Sequence, residues 1–281
     1  MKKLAIILSL LFIAVSVNAE VLRAKDAHEK FIYPTVRVTS GRGVGSGTIV
    51  YSKLGAKPDC VSTYVLTNYH VIGGLIKIDE EWDSDLQKNI KTERRGIAYV
   101  EIFKYKDLST PVGTTMLEAD VVIYNKQEDM ALLKLRYEGR IDYIAVLPAA
   151  DKVSSYRVMD ESVAVGCSLG WPPLVSVGVI TRKNYQIRSL PYDMSSAQII
   201  FGNSGGGMYT ADGVFVGIPS MVAMAGWTSA VAHMGLFIPI KRIYEWWENE
   251  HYDFIYDATK TEKESLESRE AEIEAKKERD N

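Results

Sequence analysis

The sequence predicts an all-β protein. Short runs rich in β-branched and aromatic residues, broken by turn residues, recur from about position 31 to position 218. No long amphipathic helical patterns alternate with these runs, as they would in a parallel α/β sheet. A single amphipathic helical pattern comes after the last of them. Together these three observations indicate a barrel or sandwich architecture.

The chain opens with an expected export signal, residues 1–19. Two lysines precede a mostly apolar run from Leu4 to Val17, and Ala19 ends a small-residue cleavage site. The run falls short of the roughly 20 residues that a membrane-spanning helix needs, so we expect cleavage rather than an uncleaved anchor. The mature chain then starts with a lead segment, residues 20–33, and we expect a secreted or periplasmic protein.

The charge and composition give no case for a nucleic-acid partner. The 33 basic and 36 acidic residues give a net charge of −3, and loss of the two leader lysines makes the mature chain more negative. A nucleic-acid partner would call for a basic stripe or face, so we expect none. With 47% apolar residues the chain can bury a full core.

The strand candidates extend over most of the chain, and several of them could belong to one closed sheet. The candidate strands lie at 35–38, 47–51, 64–67, 162–165, 176–181, 198–200 and 213–218.

The helical pattern follows Pro239. Ile240, Ile243, Tyr244 and Trp247 recur at i, i+3, i+4 and i+7, which predicts a helix packed by one face. Proline suits the first turn of such a helix because its missing N–H has no partner there.

The last segment, residues 257–281, is a charged tail. Its composition indicates a solvated helix or a disordered end. Leu266 and Ile273 lie seven positions apart, which leaves a coiled-coil arm as the alternative, although no heptad pattern is sustained.

Two cysteines, Cys60 and Cys167, are present. In an oxidising compartment they can pair, but their spacing does not show whether they meet, so a disulfide and two buried thiols both stay open.

The candidate nucleophile is Ser204, which lies among glycines in Phe201-Gly202-Asn203-Ser204-Gly205-Gly206-Gly207. Glycines permit a tight turn with positive φ. The backbone N–H groups of Gly202 and Ser204 can then face a common oxyanion hole, each donor contributing about 2.7–4 kcal/mol. The motif alone is also compatible with a glycine-rich hairpin turn.

The candidate base and orienting carboxylate are His70 and Asp129. His70 follows the apolar strand candidate 64–67, so its ring can be held at the end of a strand. Asp129 opens the apolar run 130–135 and needs a partner if it is partly buried. Glu128 is the competing carboxylate, and only one of two neighbours on an extended strand faces inward.

Four motifs in order resemble the trypsin-like serine proteases, and within them the HtrA (DegP-like) branch. They are Gly45-Ser46-Gly47-Thr48, Leu66-Thr67-Asn68-Tyr69-His70, Asp129-Met130-Ala131-Leu132 and Gly202-Asn203-Ser204-Gly205-Gly206. The order His, Asp, Ser is that of the chymotrypsin type.

The resemblance implies two six-stranded antiparallel β-barrels, the first over residues 34–145 and the second, with a C-terminal helix, over residues 146–256. The first barrel would carry His70 and Asp129, the second Ser204, and the cleft between them the site. It implies a substrate pocket lined by Gln198, Ser220, Met221 and Val222, without an acidic residue to attract a basic side chain. We therefore expect a serine endopeptidase that cleaves protein or peptide substrates after small or aliphatic residues.

The sequence departs from the family at both ends of the nucleophile motif. Gly207 stands where proline is usual, and Phe201 replaces a common proline before the motif. We expect no peptide-binding PDZ domain after the protease unit. No metal-ligand spacing such as H-E-x-x-H appears, so we expect no cofactor and no metal.

Two alternatives remain. Ser204, Asp212 and His233 follow the order of an α/β-hydrolase triad, which makes an esterase a weak alternative. The other is a catalytically silent protein of the same fold that acts as a binding module or chaperone.

Overall fold

The structure is a computed structural model that describes residues 24–41, 43–57, 60–84, 87–225 and 229–280. The expected export signal, residues 1–19, and the start of the lead segment lie outside these ranges. Within the described part of the chain, no helix is long and apolar enough to cross a bilayer.

The strands fall into two groups along the chain. In the first half they are β1 Thr35–Ser40, β2 Gly43–Leu54, β3 Val61–Thr67, β4 Ile76–Asp83, β5 Lys88–Arg95, β6 Ile97–Lys106, β7 Thr110–Asn125 and β8 Met130–Leu135. In the second half they are β9 Glu161–Gly166, β10 Leu174–Ile187, β11 Leu190–Ser195, β12 Gly207–Thr210, β13 Phe215–Ala225 and β14 Ser229–Pro239. The α-helices are α1 Tyr69–Ile72, α2 Ile240–Asn249 and α3 Glu262–Asp280.

Each group closes into a barrel of six strands, in the order β1-β2-β3-β8-β7-β6 and β10-β11-β14-β13-β12-β9. All of the ladders within the two barrels are antiparallel. Strands β4 and β5 form a separate two-stranded hairpin. The predicted all-β class with two six-stranded antiparallel barrels is confirmed.

Side-chain alternation along the strands places the buried apolar residues in three clusters. Successive residues of a strand point to opposite faces of the sheet. Val65 and Leu133 therefore belong to the interior of the first barrel, whereas their neighbours Leu66 and Leu132 belong to a second cluster outside it. That second cluster also contains side chains from the second barrel, among them Phe215, and it joins the two barrels. A third, smaller cluster fills the interior of the second barrel.

Helix α2 covers the cluster between the barrels. The predicted inward face is observed, because Ile240, Ile243, Tyr244 and Trp247 are all buried. Pro239 occupies the N-cap position with extended backbone angles.

Helix α3, in the charged tail, is anchored at its first turn. The Glu262 side chain is only 1% exposed and contacts the outer face of the first barrel. It accepts hydrogen bonds from the Tyr64 hydroxyl at 2.6 Å, the Lys134 ammonium at 2.6 Å and the Ala56 N–H at 3.1 Å. Leu266 also packs against the cluster between the barrels. The start of this helix is therefore part of the folded body.

Cys167 is buried and carries a free thiol. The pairing with Cys60 that the sequence leaves open is therefore not formed in this structure. Burial raises the pKa of the Cys167 thiol to about 12, which keeps it protonated and unreactive near neutral pH.

Candidate active site

His70 lies on a short helix at the end of strand β3. The strand ends at Thr67, whose hydroxyl donates to the Ser46 carbonyl at 2.7 Å and so fixes this end of β3 against β2. Asn68 is extended and precedes α1, the single turn that carries His70. About half of the imidazole surface is exposed, so the ring is held on one side and open to solvent on the other.

The carboxylate of Asp129 binds the inner edge of that imidazole. Nδ1 of His70 lies 2.9 Å from both carboxylate oxygens, and the backbone N–H of His70 donates to Oδ1 at 3.0 Å. The Ser220 hydroxyl donates to Oδ2 at 2.7 Å. With the Nδ1 proton directed at the carboxylate, Nε2 is left as the proton acceptor.

The backbone of Asp129 adopts an unusual conformation that serves this contact. Its φ of 59° lies in the left-handed region, which Asp tolerates better than most residues. The Asn68 side-chain amide donates to the Asp129 carbonyl at 2.8 Å and holds the turn. The competing carboxylate, Glu128, binds Arg242 at 3.2 Å, so Asp129 is the carboxylate that orients His70.

The turn that carries Ser204 is built on glycines that no other residue can replace without strain. Gly202 has a φ of 96°, and a Cβ there would lie 2.5 Å from the Cys167 carbonyl oxygen. Gly205 has a φ of 83°, and a Cβ there would lie 2.2 Å from the Ser46 carbonyl oxygen. The turn therefore lies directly against the backbone of both barrels.

Direct hydrogen bonds join this turn to the strands around it. The Ser46 N–H donates to the Ser204 carbonyl at 2.8 Å, and the Gly205 N–H donates to the Pro219 carbonyl at 3.1 Å. The Ser46 hydroxyl donates to the Gly202 carbonyl at 2.6 Å. These contacts hold the Ser204 turn against β2 of the first barrel and β13 of the second.

Two backbone N–H groups of this turn are available as donors. Among the described residues, neither the Gly202 N–H nor the Ser204 N–H donates to a protein acceptor, whereas those of Asn203, Gly205 and Gly206 all do. Unpaired donors beside a nucleophile are what an oxyanion hole requires.

The Ser204 hydroxyl and the His70 ring lack a direct hydrogen bond in this structure, in which both residues are described. Such catalytic contacts are often long in substrate-free enzymes and shorten when substrate binds. The geometry therefore contains an assembled His70–Asp129–Ser220 unit and a separately anchored Ser204 turn.

The four residues expected to line the substrate pocket separate into three environments. Gln198 is exposed, and its backbone N–H donates to the Ser176 hydroxyl at 2.6 Å. Ser220 directs its hydroxyl at Asp129. Met221 and Val222 line a cavity of about 690 Å³ on the second barrel, together with Met194, Met234, Leu236 and several polar residues.

The departure at Gly207 has a steric cause. A Cβ at this position would lie 2.2 Å from the ring of Tyr209, which is buried where β12 contacts the other strands. The bulky Tyr209 thus occupies the space that a proline ring at position 207 would need.

Two supporting residues, Ser46 and Asn68, were not singled out from the sequence, and a third, Ser220, was expected to line the substrate pocket but contacts Asp129 instead. Ser46 bridges the two barrels, because its hydroxyl also accepts the Cys167 N–H at 2.7 Å. Asn68 holds the Asp129 backbone, and Ser220 holds the carboxylate. For Ser46 and Asn68, the sequence offered only their position within the motifs as an indication of this supporting role. Long-range hydrogen bonds produce no periodic pattern in a sequence.

The esterase alternative does not fit the fold. His233 lines the cavity with Met221, whereas the Asp212 carboxylate accepts a hydrogen bond from Thr210 in the turn between β12 and β13. An α/β-hydrolase needs a strand, a sharp turn and a helix around its serine, but strand β12 follows Ser204. The described residues also contain no group of three or more side chains suited to hold a metal ion.

Comparison with known proteins defines the class. A family model described as the trypsin-like peptidase domain matches residues 45–218, which is more than half of the chain. The chain therefore belongs to the trypsin-like peptidase family.

The relatives are HtrA- and DegP-type serine proteases and a magnetosome protease. The magnetosome formation protease MamE of Magnetospirillum gryphiswaldense is 27% identical over 219 residues, covering 76% of this chain and 23% of the relative. The periplasmic pH-dependent serine endoprotease DegQ of Escherichia coli is 27% identical over 188 residues, covering 66% and 32%. The chain thus spans less than a third of the length of either relative.

A solved structure shares the fold. The crystal structure of Deg5 superimposes with a TM-score of 0.54 at 22% identity, covering 81% of this chain and 90% of the other.

Proposed function

We propose that this protein is a serine endopeptidase in which His70, Asp129 and Ser204 form the catalytic triad. The observation that carries the proposal is the set of hydrogen bonds at Asp129, which orients the His70 ring through Nδ1 at 2.9 Å. Membership of the trypsin-like peptidase family and the unpaired N–H groups of Gly202 and Ser204 support it.

The proposed reaction follows from these positions. The Ser204 hydroxyl oxygen attacks the carbonyl carbon of the scissile peptide while Nε2 of His70 takes its proton. The carbonyl oxygen becomes negative and accepts hydrogen bonds from the two N–H groups. The C–N bond then breaks, the proton passes from His70 to the leaving amine, and water hydrolyses the acyl-enzyme by the same steps.

The substrates of this proposed activity are proteins or peptides with a small or aliphatic residue on the acyl side of the scissile bond. Ile199, next to Gln198, is buried, and its side chain lies over Gly235, where a Cβ would be only 2.4 Å away. A branched aliphatic side chain therefore fills the space beside Gly235, next to Gln198, one of the four expected pocket residues. The family's periplasmic relatives and the predicted export signal support a secreted or periplasmic location.

A catalytically silent binding or chaperone protein is the second candidate. One observation favours it, namely the missing hydrogen bond between Ser204 and His70. The proposed endopeptidase requires this contact to form when substrate binds.

Labelling with a fluorophosphonate separates the two candidates. We expect covalent labelling at Ser204, detected by mass spectrometry, and hydrolysis of casein by the wild type. Ser204→Ala and His70→Ala should each lower hydrolysis by roughly 10³-fold or more, whereas His233→Ala should not. Absence of labelling and hydrolysis in folded wild-type protein would favour the silent alternative.

Cleavage of a peptide library by the wild type tests the proposed specificity. A preference for Lys or Arg on the acyl side of the cleaved bond would refute it.

A further inference from the structure

Four exposed apolar side chains lie at or near the turn that carries Ser204, residues 202–206, which we call the oxyanion turn. Phe201 directly precedes this turn, Leu169 and Trp171 lie on or next to the loop that contacts it, and Val44 lies beside Gly170 of that loop. Leu169, Trp171 and Phe201 are 68%, 64% and 69% exposed, and Val44 is 48% exposed. We refer to Val44, Leu169, Trp171 and Phe201 as the apolar rim. Neighbouring exposed apolar side chains on a folded protein mark sites of interaction more often than isolated ones do.

The rim is continuous with the candidate active site. The Leu169 N–H donates to the Phe201 carbonyl at 2.8 Å, and Phe201 directly precedes Gly202. The Ser168 hydroxyl donates to the side-chain carbonyl of Asn203, the residue before the nucleophile. The rim and the oxyanion turn therefore form one surface.

The backbone beneath the rim is held in place. Leu169 has a φ of 54°, an unfavourable value for a branched side chain such as leucine. The Arg37 guanidinium donates to the Gly170 carbonyl at 2.6 Å, and its charge is balanced by Glu101 at 2.5 Å. Strain retained by surrounding contacts at a surface position is typical of sites with a function.

The rim is also separate from the cavity lined by Met221 and Val222, because none of its residues lines that cavity. In the chain, the turn that carries Ser204 directly follows Phe201 of the rim and precedes Met221 and Val222 of the cavity. A polypeptide cleaved at Ser204 extends in both directions from the scissile bond. Because the segment from Gln198 and the segment 220–222 are proposed to receive its acyl half, the rim remains for the leaving half.

We propose that the apolar rim binds large apolar side chains of the polypeptide substrate on the leaving-group side of the scissile bond. This inference rests on the proposed endopeptidase function and adds to it a second determinant of specificity. Such contacts are remote from the reacting atoms, and binding energy there is used to position the scissile bond.

Pairs of internally quenched peptides test the inference. The two peptides of a pair have the same sequence on the acyl side of the scissile bond. On the leaving-group side, the second and third residues after the scissile bond are Leu-Phe in one peptide and Ser-Gly in the other. We expect wild-type kcat/KM to be roughly tenfold higher for the apolar member. Leu169→Ser and Trp171→Ser should each bring this ratio toward one.

Trp82→Ser is the matched control, because Trp82 is 65% exposed on the separate β4–β5 hairpin. It should keep the wild-type ratio. The ratio is measured within each variant, so it does not depend on the fraction of active enzyme, which fluorophosphonate labelling reports separately.

A ratio near one in labelled, active wild type would overturn the inference while leaving the endopeptidase proposal intact. The inference would also be overturned if the kcat/KM ratio were unchanged in both rim variants. It would be overturned as well if moving Leu-Phe to the acyl half raised kcat/KM equally and the rim substitutions removed that increase. If the wild type is neither labelled nor active, the endopeptidase proposal fails instead. Fluorescence anisotropy with the same peptides then tests the rim directly, and equal affinities for the two peptides would overturn it.

Discussion

Asp129 accepts hydrogen bonds from two residues, His70 of the proposed triad and Ser220, and these bonds suit its proposed role of orienting the imidazole. The His70 ring and backbone N–H occupy one side of the carboxylate, and the Ser220 hydroxyl binds Oδ2. A carboxylate held in this way cannot rotate away from the imidazole, so the ring keeps both its orientation and its tautomer.

Ser220→Ala is expected to weaken this restraint without removing the triad. We expect kcat to fall by roughly tenfold, in line with the loss of one hydrogen bond to a charged group, while KM changes little. Steady-state kinetics on a peptide substrate measures both constants. Ser155→Ala, at an exposed position of the second half of the chain, is the control. A fall confined to KM would show that Ser220 acts on substrate binding instead.

At the scale of elements, helix α3 joins the two strands that lead to the proposed triad. Tyr64 of β3 and Lys134 of β8 are register partners, and the Glu262 carboxylate binds both. Burial raises the pKa of Glu262, but the hydrogen bonds from Lys134, Tyr64 and Ser62 outweigh it and leave the pKa lower than usual. The charged form of Glu262 therefore stabilises the fold.

Glu262→Gln is expected to lower the free energy of unfolding by about 1–3 kcal/mol near neutral pH, because it weakens hydrogen bonds to a buried charged group. A carboxylate with a lowered pKa stabilises the folded state above the pKa of the unfolded chain and loses this effect as the pH falls. The difference between wild type and variant should therefore shrink below pH about 4.5. Urea unfolding at several pH values measures it.

Glu267→Gln provides the comparison, because the Glu267 side chain is 63% exposed on the same helix. It should leave the stability almost unchanged at every pH. A Glu262→Gln variant that matches wild type at neutral pH would contradict the anchoring role of α3.

At the scale of the whole molecule, one hydrophobic cluster holds the barrels together. It combines outward-facing residues of β3 and β8, strands of the second barrel and the inner face of α2. The proposed triad draws His70 and Asp129 from one barrel and Ser204 from the other. The integrity of the site therefore depends on this cluster.

Trp247→Ala tests that dependence, because Trp247 is fully buried in the cluster. We expect a loss of about 3–5 kcal/mol in the free energy of unfolding, as for other large-to-small substitutions of buried aromatics. Fluorophosphonate labelling should be lost over the same urea range as the tryptophan fluorescence change. Trp82→Ala should shift neither curve. Labelling that persists after the fluorescence transition would show that the site does not need the cluster.

The sequence alone determined the all-β class, the helix after Pro239 and the order of the four motifs, because strand alternation, helical periodicity and glycine-rich turns are local properties. Only the tertiary structure decided which partner each polar side chain has. It directed Glu128 to Arg242 and Ser220 to Asp129, and it anchored the charged tail through Glu262. These contacts join residues from 91 to 206 positions apart. Their formation depends on barrel closure and on the packing between the barrels, which no local pattern encodes.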